Sequence, residues 1–372
     1  MRITDIELRS CIQETIFGKR NFGVLSIRTD RGITGYNFAS RPGPDILPQL
    51  WEIARKVLIG QDPQNIGKIW HQIGNLRAVD PSIQGIIDVA LWDIAGKAAG
   101  LPVYRMLGAS RDELPVYASS WVHNTVEEYV DEAVAYKELG FAGYKIHPLT
   151  QARNMFGDNV PISADMELCT AVRAAVGRDY PLFLDAAWAY DYPEAVTVGL
   201  HLQDLGYRWF EDPLGAEDLN GYLRLKQQLH IPLMATEITA GGLQGLVPWA
   251  VQRATDYLRG DVVLKGGITG MMKIAHLAEA FQLNCELHDA YDAMNNLATL
   301  HVALAIKNCE WYEVLTPHAP GSFDIAHLNY GLQRAMDIDT HGLIHAPNAP
   351  GLGIEPDWDL LDKTTIRRFQ LS

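Results

Sequence analysis

Three apolar runs in this chain each close on a carboxylate, and the intervals between them are equal. Pro181-Leu182-Phe183-Leu184 leads into Asp185, Trp209-Phe210 into Glu211-Asp212-Pro213, and Pro232-Leu233-Met234-Ala235-Thr236 into Glu237, with 26 residues from each acid to the next. Any one of them reads readily as a helix N-cap in a loop between strand and helix, where Asp is common. Three at one spacing, the length of a strand–helix unit, point instead to side chains at the same height on adjacent strands. Such carboxylates would repel one another and raise their pKa values. A hard divalent cation removes the conflict, and Mg²⁺ suits a few carboxylates completed by water and substrate oxygens.

Candidate bases close or flank other runs. Tyr144-Lys145-Ile146-His147-Pro148 puts two basic residues two positions apart, on the same side of a strand. Lys145 would bind a substrate carboxylate or, with a lowered pKa, act as a base. Asp261 opens the run Val262-Val263-Leu264, and His288 closes the next run, 27 residues on. Side by side, Asp261 would accept one ring N–H of His288, fix its tautomer, raise its basicity and leave the other nitrogen free for proton transfer. Trp311-Tyr312-Glu313 supplies a fourth strand-end acid. If protonated, Glu313 would hydrogen-bond a substrate carboxylate or its developing oxyanion.

These residues need a scaffold that brings them together. After Leu114, short apolar runs alternate with amphipathic stretches: Val116–Trp121, Ala142–Ile146, Leu182–Leu184, Arg208–Phe210, Leu233–Ala235, Val262–Leu264, Leu283–Leu287 and Trp311–Val314. Eight strands separated by helices predict parallel βαβ units closing into a barrel, with chemistry at the C-terminal strand ends. Ahead of them, Val24–Thr29, the turn Asp30-Arg31-Gly32 and Ile33–Phe38 read as a hairpin. Helical spacing follows from about Asp45 to Leu107, and Ile83, Ile86, Ile87, Ala90, Leu91, Ile94 and Ala98 form one core-facing stripe. A sheet followed by helices predicts a separate α+β domain over residues 1–113, with the barrel over 114–340. The segment 341–372, with Pro347, Pro350 and Pro356, leaves the barrel rhythm and is expected to pack back on the first domain.

Composition bounds the function. Across 372 residues, 31 Lys+Arg against 45 Asp+Glu give a formal charge of −14, which argues against nucleic acid or an anionic membrane as the partner. No apolar run approaches the ~18 residues of a membrane span. MRITDIELRS lacks the basic start and apolar stretch of a signal peptide. Cys11, Cys169, Cys285 and Cys309 are scattered and read as reduced, buried thiols. The expectation is a soluble, cytoplasmic protein.

As a set, the Lys145-x-His147 strand, the Asp185/Glu211/Glu237 ladder, the Asp261–His288 pair and Glu313 closely resemble the mandelate racemase subgroup of the enolase superfamily. So do Gly266-Gly267-Ile268-Thr269-Gly270, the helix motif Asp88-x-x-x-x-Asp93-Ile94-x-Gly96-Lys97, and the closing Ala349-Pro350-Gly351-Leu352-Gly353-Ile354-Glu355. None is specific singly; together they cover nearly the whole chain. The resemblance implies an α/β protein, a modified TIM barrel of (β/α)7β type beneath an N-terminal α+β capping domain. It implies Mg²⁺ held by Asp185, Glu211 and Glu237, and abstraction of the proton α to a carboxylate to give an enediolate, as enolase-type sites do with a Lys or His base. Lys145 matches the first lysine of the family's Lys-x-Lys motif, His288 with Asp261 the opposite acid/base, and Glu313 the acid that hydrogen-bonds the substrate carboxylate. His147 stands in place of the second lysine, which argues against symmetric two-base racemisation but leaves His147 able to move a proton.

Most members of the subgroup that act on polyhydroxylated acids are dehydratases. The resemblance therefore implies loss of water from a sugar acid to give a 2-keto-3-deoxy acid, with His288 as the acid and His147 or His288 itself as the base. A cycloisomerase, or an epimerase or racemase acting on a related hydroxy acid or lactone, would use the same enediolate without losing water. A non-catalytic scaffold of this type would show an eroded ligand set; here the set is intact. His123, Asp289, Tyr291 and His318 are candidates for meeting substrate hydroxyls, Glu14–Phe22 is a candidate for setting specificity, and Gln151–Pro161, a long connection after the second strand, is a candidate lid. The family's habit implies a homo-oligomer.

Overall fold

The computed structural model describes residues 1–15, 18–40, 43–76, 79–153, 157, 159–290, 292–316 and 330–371. Strands β1 (Ile3–Thr15), β2 (Gly18–Thr29) and β3 (Thr34–Ala39) form an antiparallel sheet, with the expected turn at Asp30-Arg31-Gly32 joining the last two. Helices α1 (Leu47–Val57), α2 (Ile66–Gly74) and α3 (Pro81–Ala99) pack on it, sharing a core of Ile6, Leu8 and Leu25 with Leu50, Ile69 and Ile87. The short α4 (Val103–Leu107) leads out of this layer.

Strand and helix then alternate: β4 (Glu113–Ser119), α5 (Val126–Glu138), β5 (Gly143–Ile146), α6 (Ile162–Val176), β6 (Leu182–Asp185), α7 (Tyr192–Asp204), β7 (Trp209–Glu211), α8 (Leu219–Gln228), β8 (Leu233–Ala235), α9 (Gly242–Gln252), β9 (Tyr257–Gly260), α10 (Gly267–Ala280), β10 (Asn284–Leu287), α11 (Ala293–Ala305) and β11 (Tyr312–Leu315). The strands pair in parallel in the order β10-β9-β8-β7-β6-β5-β4-β11. β10 and β11 stand side by side at the seam without a ladder between them. The result is a near-closed α/β barrel under an antiparallel sheet layer, the expected architecture. Short capping devices set the helix starts. Thr125 with Glu128, and Asp191 with Glu194, form capping boxes at α5 and α7, each satisfying two otherwise orphaned N–H groups.

Alternation along the strands builds the barrel interior in layers. Phe183, Trp209, Tyr257 and Trp311 make an aromatic floor with Tyr117 and Met234, and the Phe183 and Trp209 rings stack at 3.7 Å. Two residues further along their strands, Asp185, Glu211, Arg259 and Glu313 are buried too. Each strand thus lays an apolar residue below a polar one on the same side.

Glu286, on β10, is fully enclosed and accepts the N–H groups of Glu310 (2.9 Å) and Trp311 (3.2 Å). Burial pushes its carboxyl up to about 7 despite those donors. Because the folded value exceeds the ordinary 4.5, stability from this group is fully present below about pH 4.5 and is lost as pH rises toward 7. A Glu286→Gln variant is expected to lose that slope, so the difference between its Tm at pH 5 and at pH 8 should be smaller than in the parent chain. An unchanged slope would overturn the assignment.

Three details depart from the sequence reading. The run Val262–Leu264 is not the sixth barrel strand; that strand is β9, just before it. Val262 and Val263 are apolar because they are buried where α3 meets the barrel, with Gly85 against both of their carbonyls. Asp261 therefore follows a strand instead of opening one. Second, α3 is not one-striped. It carries 13 buried residues, among them Ser82, Asp88 and Asp93, because the antiparallel sheet lies on one side and α10 on the other. Third, the C-terminal segment does not go straight to the first sheet. β12 (Leu343–His345) first pairs with β4 of the barrel. Then α12 (Trp358–Thr364) leads to β13 (Thr365–Gln370), which pairs with β1.

The α3–α10 seam is tight. Asp88 accepts from the backbone N–H (2.9 Å) and hydroxyl (2.6 Å) of Thr269, which also receives the Trp92 indole N–H at 3.0 Å. Gly267 has φ +84°, and a Cβ there would sit 2.3 Å from an Asp88 oxygen. Gly267→Ala is therefore expected to cost roughly 2–4 kcal/mol through backbone strain and overpacking. Gly67→Ala in α2, where a Cβ meets nothing within 4 Å, is the control and should leave Tm level or raised.

Candidate active site

The end of β6 and the end of β7 are in direct register, Asp185 opposite Glu211. Glu237 lies two residues beyond β8. All three are buried, and each offers a carboxylate oxygen within 4.8 Å of the others'. The backbone is bent to bring them there. Four non-glycine residues with positive φ flank the acids: Ala187 (44°) and Trp188 (64°) after Asp185, Asp212 (41°) after Glu211, and Thr236 (87°) before Glu237. A β-branched residue in that region is a strained one, and such strain collects where a site over-determines the backbone.

Lys145, inward on β5, lies against the acids from below. Its Nζ is 3.2 Å from Asp185, 3.2 Å from Glu211 and 2.6 Å from Glu313. Burial and the nearby Arg259 work against its charge, but Glu211 and Glu313 outweigh them and hold the ammonium well above its ordinary range. Lys145 thus presents its ammonium to three carboxylates from within the barrel. Burial pushes Asp185 up, yet Lys145 and His147 beside it bring it below the ordinary range. For Glu211 burial prevails over the pull of Arg259, and the carboxyl rises to about 7.

Two imidazoles face this centre from strand ends separated by β4 and β11. His147, just past β5, donates from Nδ1 to the Ser120 carbonyl at 2.6 Å and presents Nε2 to Asp185 Oδ2 at 3.0 Å. The Tyr129 hydroxyl donates to the His147 carbonyl at 2.5 Å, steadying the turn. His288, just past β10, pairs through Nδ1 with Asp261 Oδ2 at 2.9 Å, and its Nε2 lies 3.3 Å from Glu237 Oε1. The other Asp261 oxygen accepts the N–H groups of Val263 (2.8 Å) and Leu264 (2.7 Å), so the carboxylate is locked in place. Burial pulls the His288 ring down, but Glu237 and Asp261 raise it above the usual histidine value.

The structure thus brings together all eight of Lys145, His147, Asp185, Glu211, Glu237, Asp261, His288 and Glu313. Glu313 is not poised as a neutral acid. It accepts from Lys145, from Arg259 Nη2 at 2.5 Å and from the Asp289 N–H at 2.8 Å; burial raises it, but Arg259 and Lys145 hold it well below the ordinary range. His123 does not reach the barrel mouth: its Nε2 is 2.9 Å from Glu132 on α5. Asp289 is buried and accepts from the Asn296 amide. Tyr291 and His318 lie outside the described residues, as do parts of Glu14–Phe22 and Gln151–Pro161. Of the latter stretch, Arg153 turns back onto Glu194 of α7 at 2.9 Å.

The sequence reading passed over two residues. Ser120 orients His147 through its carbonyl. Arg259, at 0% exposure, stands two positions before Asp261, and the alternation that pairs Lys145 with His147 would have found it once β9 was correctly placed.

The donor set fits a hard divalent cation. Three buried carboxylate oxygens converge, and Glu211 is raised chiefly by its burial, with the neighbouring Asp185 and Glu313 adding to it. Such a site suits Mg²⁺ completed by water and substrate oxygens.

A near-closed parallel barrel capped by an antiparallel layer, with convergent carboxylates at its C-terminal rim, is the architecture of an enolase-type protein. Residues 10–108 match the mandelate racemase / muconate lactonizing enzyme N-terminal domain, and residues 128–360 match the enolase C-terminal domain-like family. The chain belongs to this mandelate racemase / muconate lactonizing enzyme group of the enolase superfamily. It is 30% identical to a D-mannonate dehydratase of Caulobacter vibrioides over 95% of this chain and 93% of that one. It is 29% identical to the D-galactarolactone cycloisomerase of Agrobacterium fabrum, over 93% and 91%. The crystal structure of D-glucarate dehydratase from Agrobacterium tumefaciens, complexed with magnesium, superposes with a TM-score of 0.88 at 32% identity, covering 99% of this chain and all of that one.

Proposed function

We propose that this protein is a Mg²⁺-dependent sugar-acid dehydratase, a hydro-lyase that removes the proton α to a carboxylate and then a β-hydroxyl to give a 2-keto-3-deoxy acid. The observation that carries the reading is the meeting, in one buried centre, of three carboxylates and two oriented imidazoles. Relatives that dehydrate sugar acids and span nearly the whole chain support it.

A divalent cation held by Asp185, Glu211 and Glu237 would supply the positive charge that makes an α-proton next to a carboxylate acidic enough to remove. The chain's own residues do the rest. Lys145 offers fixed charge to the anionic substrate. The α-proton passes to an imidazole Nε2, at His147 or His288, and the C–H pair stays on the substrate as an enediolate. His288, backed by Asp261, then delivers a proton to the β-hydroxyl; the C–O bond breaks, water departs, and the resulting enol tautomerises to the keto acid. An imidazole has a pKa near the operating pH, which general acid–base catalysis favours. The cycloisomerase relative favours a second reading, in which the same enediolate forms and no water is lost.

The partner in this reading is a small carboxylate, and the chain assembles as a homo-oligomer in the cytoplasm. Four buried, unpaired cysteines accord with a reducing compartment, and no helix among the described residues is long and apolar enough to cross a membrane.

The test is incubation of the purified protein with Mg²⁺ and a library of mono- and diacid sugars in D₂O. Formation of 2-keto-3-deoxy acids supports dehydration and names the stereochemistry accepted. Deuterium uptake without keto acid would replace it with the isomerase reading.

A further inference from the structure

Arg259 occupies the inward position of β9 one layer above the aromatic floor. Its Nη2 lies 2.5 Å from Glu313 and 3.7 Å separates its Nε from Glu237, while the same Nε is paired with Glu211. Nη1 donates to the Leu287 carbonyl at 3.3 Å and the Tyr117 hydroxyl at 3.4 Å. The guanidinium therefore touches two of the three carboxylates assigned to the metal, and the one acid assigned to the substrate, with no exposure to water.

An arginine cannot give up its proton in a protein, and burying one is costly unless carboxylates surround it. Its presence here has a charge consequence. Asp185, Glu211, Glu237 and Glu313 are four acids; Lys145 and Arg259 are two permanent cations. Among these four acids the two cations offset half of the charge and one divalent ion would offset the remainder, while Asp212, Asp261, Lys265 and His288, buried in the same centre, add charge of both signs. With Lys145 alone, these four acids and a divalent ion would keep one more uncompensated negative charge beside an anionic substrate.

We propose that Arg259 is a positioning residue that sets this balance: it bridges Glu211 and Glu313 and lets the site hold a divalent cation and a carboxylate anion together. Glu313 is then an acceptor on both oxygens, taken by Lys145 on one and by Arg259 and the Asp289 N–H on the other, and contact with the substrate carboxylate falls to Lys145. This rests on the dehydratase reading for the substrate's charge, but its first readout does not depend on any substrate.

The full chain and three variants, Arg259→Met, Arg259→Lys and Arg259→Met/Glu313→Gln, are titrated with Mg²⁺ by calorimetry, and their kinetics are followed on the best sugar acid found. Removing a cation beside the acids is expected to tighten Mg²⁺ binding by about tenfold in Arg259→Met, while KM for the anion rises by about tenfold or more. Arg259→Lys keeps the charge and should stay within about threefold of the parent in Mg²⁺ affinity. The double variant removes one charge of each sign and should return toward parental Mg²⁺ affinity, which keeps the test open if the single Met variant does not fold. Weaker Mg²⁺ binding in Arg259→Met with KM unmoved would show a mere structural prop and overturn the proposal, as would a double variant displaced from the parent by tenfold or more. Failure of the parent chain itself to bind Mg²⁺ would instead overturn the proposed function.

Discussion

A His288→Asn variant is expected to fold and bind Mg²⁺ like the parent chain while losing on the order of 10²–10⁴-fold in kcat for dehydration, the usual worth of a positioned acid or base. The reason is local. Asn is close to the imidazole in reach toward Asp261, so an amide N–H can replace the Nδ1 contact, now 2.9 Å, and spare Asp261 a lost partner in a buried place. What disappears is Nε2, the atom that faces the centre 3.3 Å from Glu237. Circular dichroism and Mg²⁺ calorimetry would report the unchanged fold and metal site; keto-acid formation would report the loss. Turnover within threefold of the parent would remove His288 from the chemistry. If dehydration stops and deuterium still enters the α-position, His147 is the base and His288 only the acid; if both stop, His288 does both.

Chelation of the divalent cation is expected to abolish turnover altogether, with recovery on adding Mg²⁺, and to lower Tm. Asp185, Glu211 and Glu237 are buried within 4.8 Å of one another, and two cations do not suffice for four acids in one enclosed layer. An ion that binds only the folded chain stabilises it by RT ln(1 + [L]/Kd), about 2.7 kcal/mol at a hundredfold excess over Kd. A Glu211→Gln variant should show little or no rise in Tm with Mg²⁺, because it removes the central carboxylate. A parent chain whose Tm ignores Mg²⁺ and whose activity survives chelation would exclude a metal centre.

What the sequence disclosed depended on how cleanly each residue closed an apolar run. Asp185 and Glu211 end β6 and β7, and Glu237 follows β8 closely, so their 26-residue beat is audible in the chain itself. Arg259 was silent because it sits inside its strand. Tyr257-Leu258-Arg259-Gly260 is less apolar than the adjoining Val262-Val263-Leu264, and the more apolar stretch drew the strand assignment although its burial comes from the α3 seam. The same shift misplaced Asp261 at a strand start while leaving its pairing with His288 intact, since a 27-residue separation does not depend on where the strand begins. His123 misled for a different reason. It follows β4 at the rim, but Glu132, nine residues on, turns it aside into α5, a contact that no spacing rule isolates from many equivalent ones. The helical stripe on α3 was legible except for Ala98, which is exposed; its second buried face was not, because Gly85 and Asp88 carry no apolar signal and are buried by a partner nearly two hundred residues away.

β13 gives the order of events during synthesis a direction. The antiparallel layer that covers the barrel precedes it in the chain, yet acquires its outer strand, Thr365–Gln370 against β1, only after every barrel strand has been made. Translation therefore releases a nascent chain whose cap lacks an edge through the whole period of barrel construction. Domains tend to fold as units in the order they emerge; here a sheet that precedes the barrel in the chain is completed by a strand that follows it.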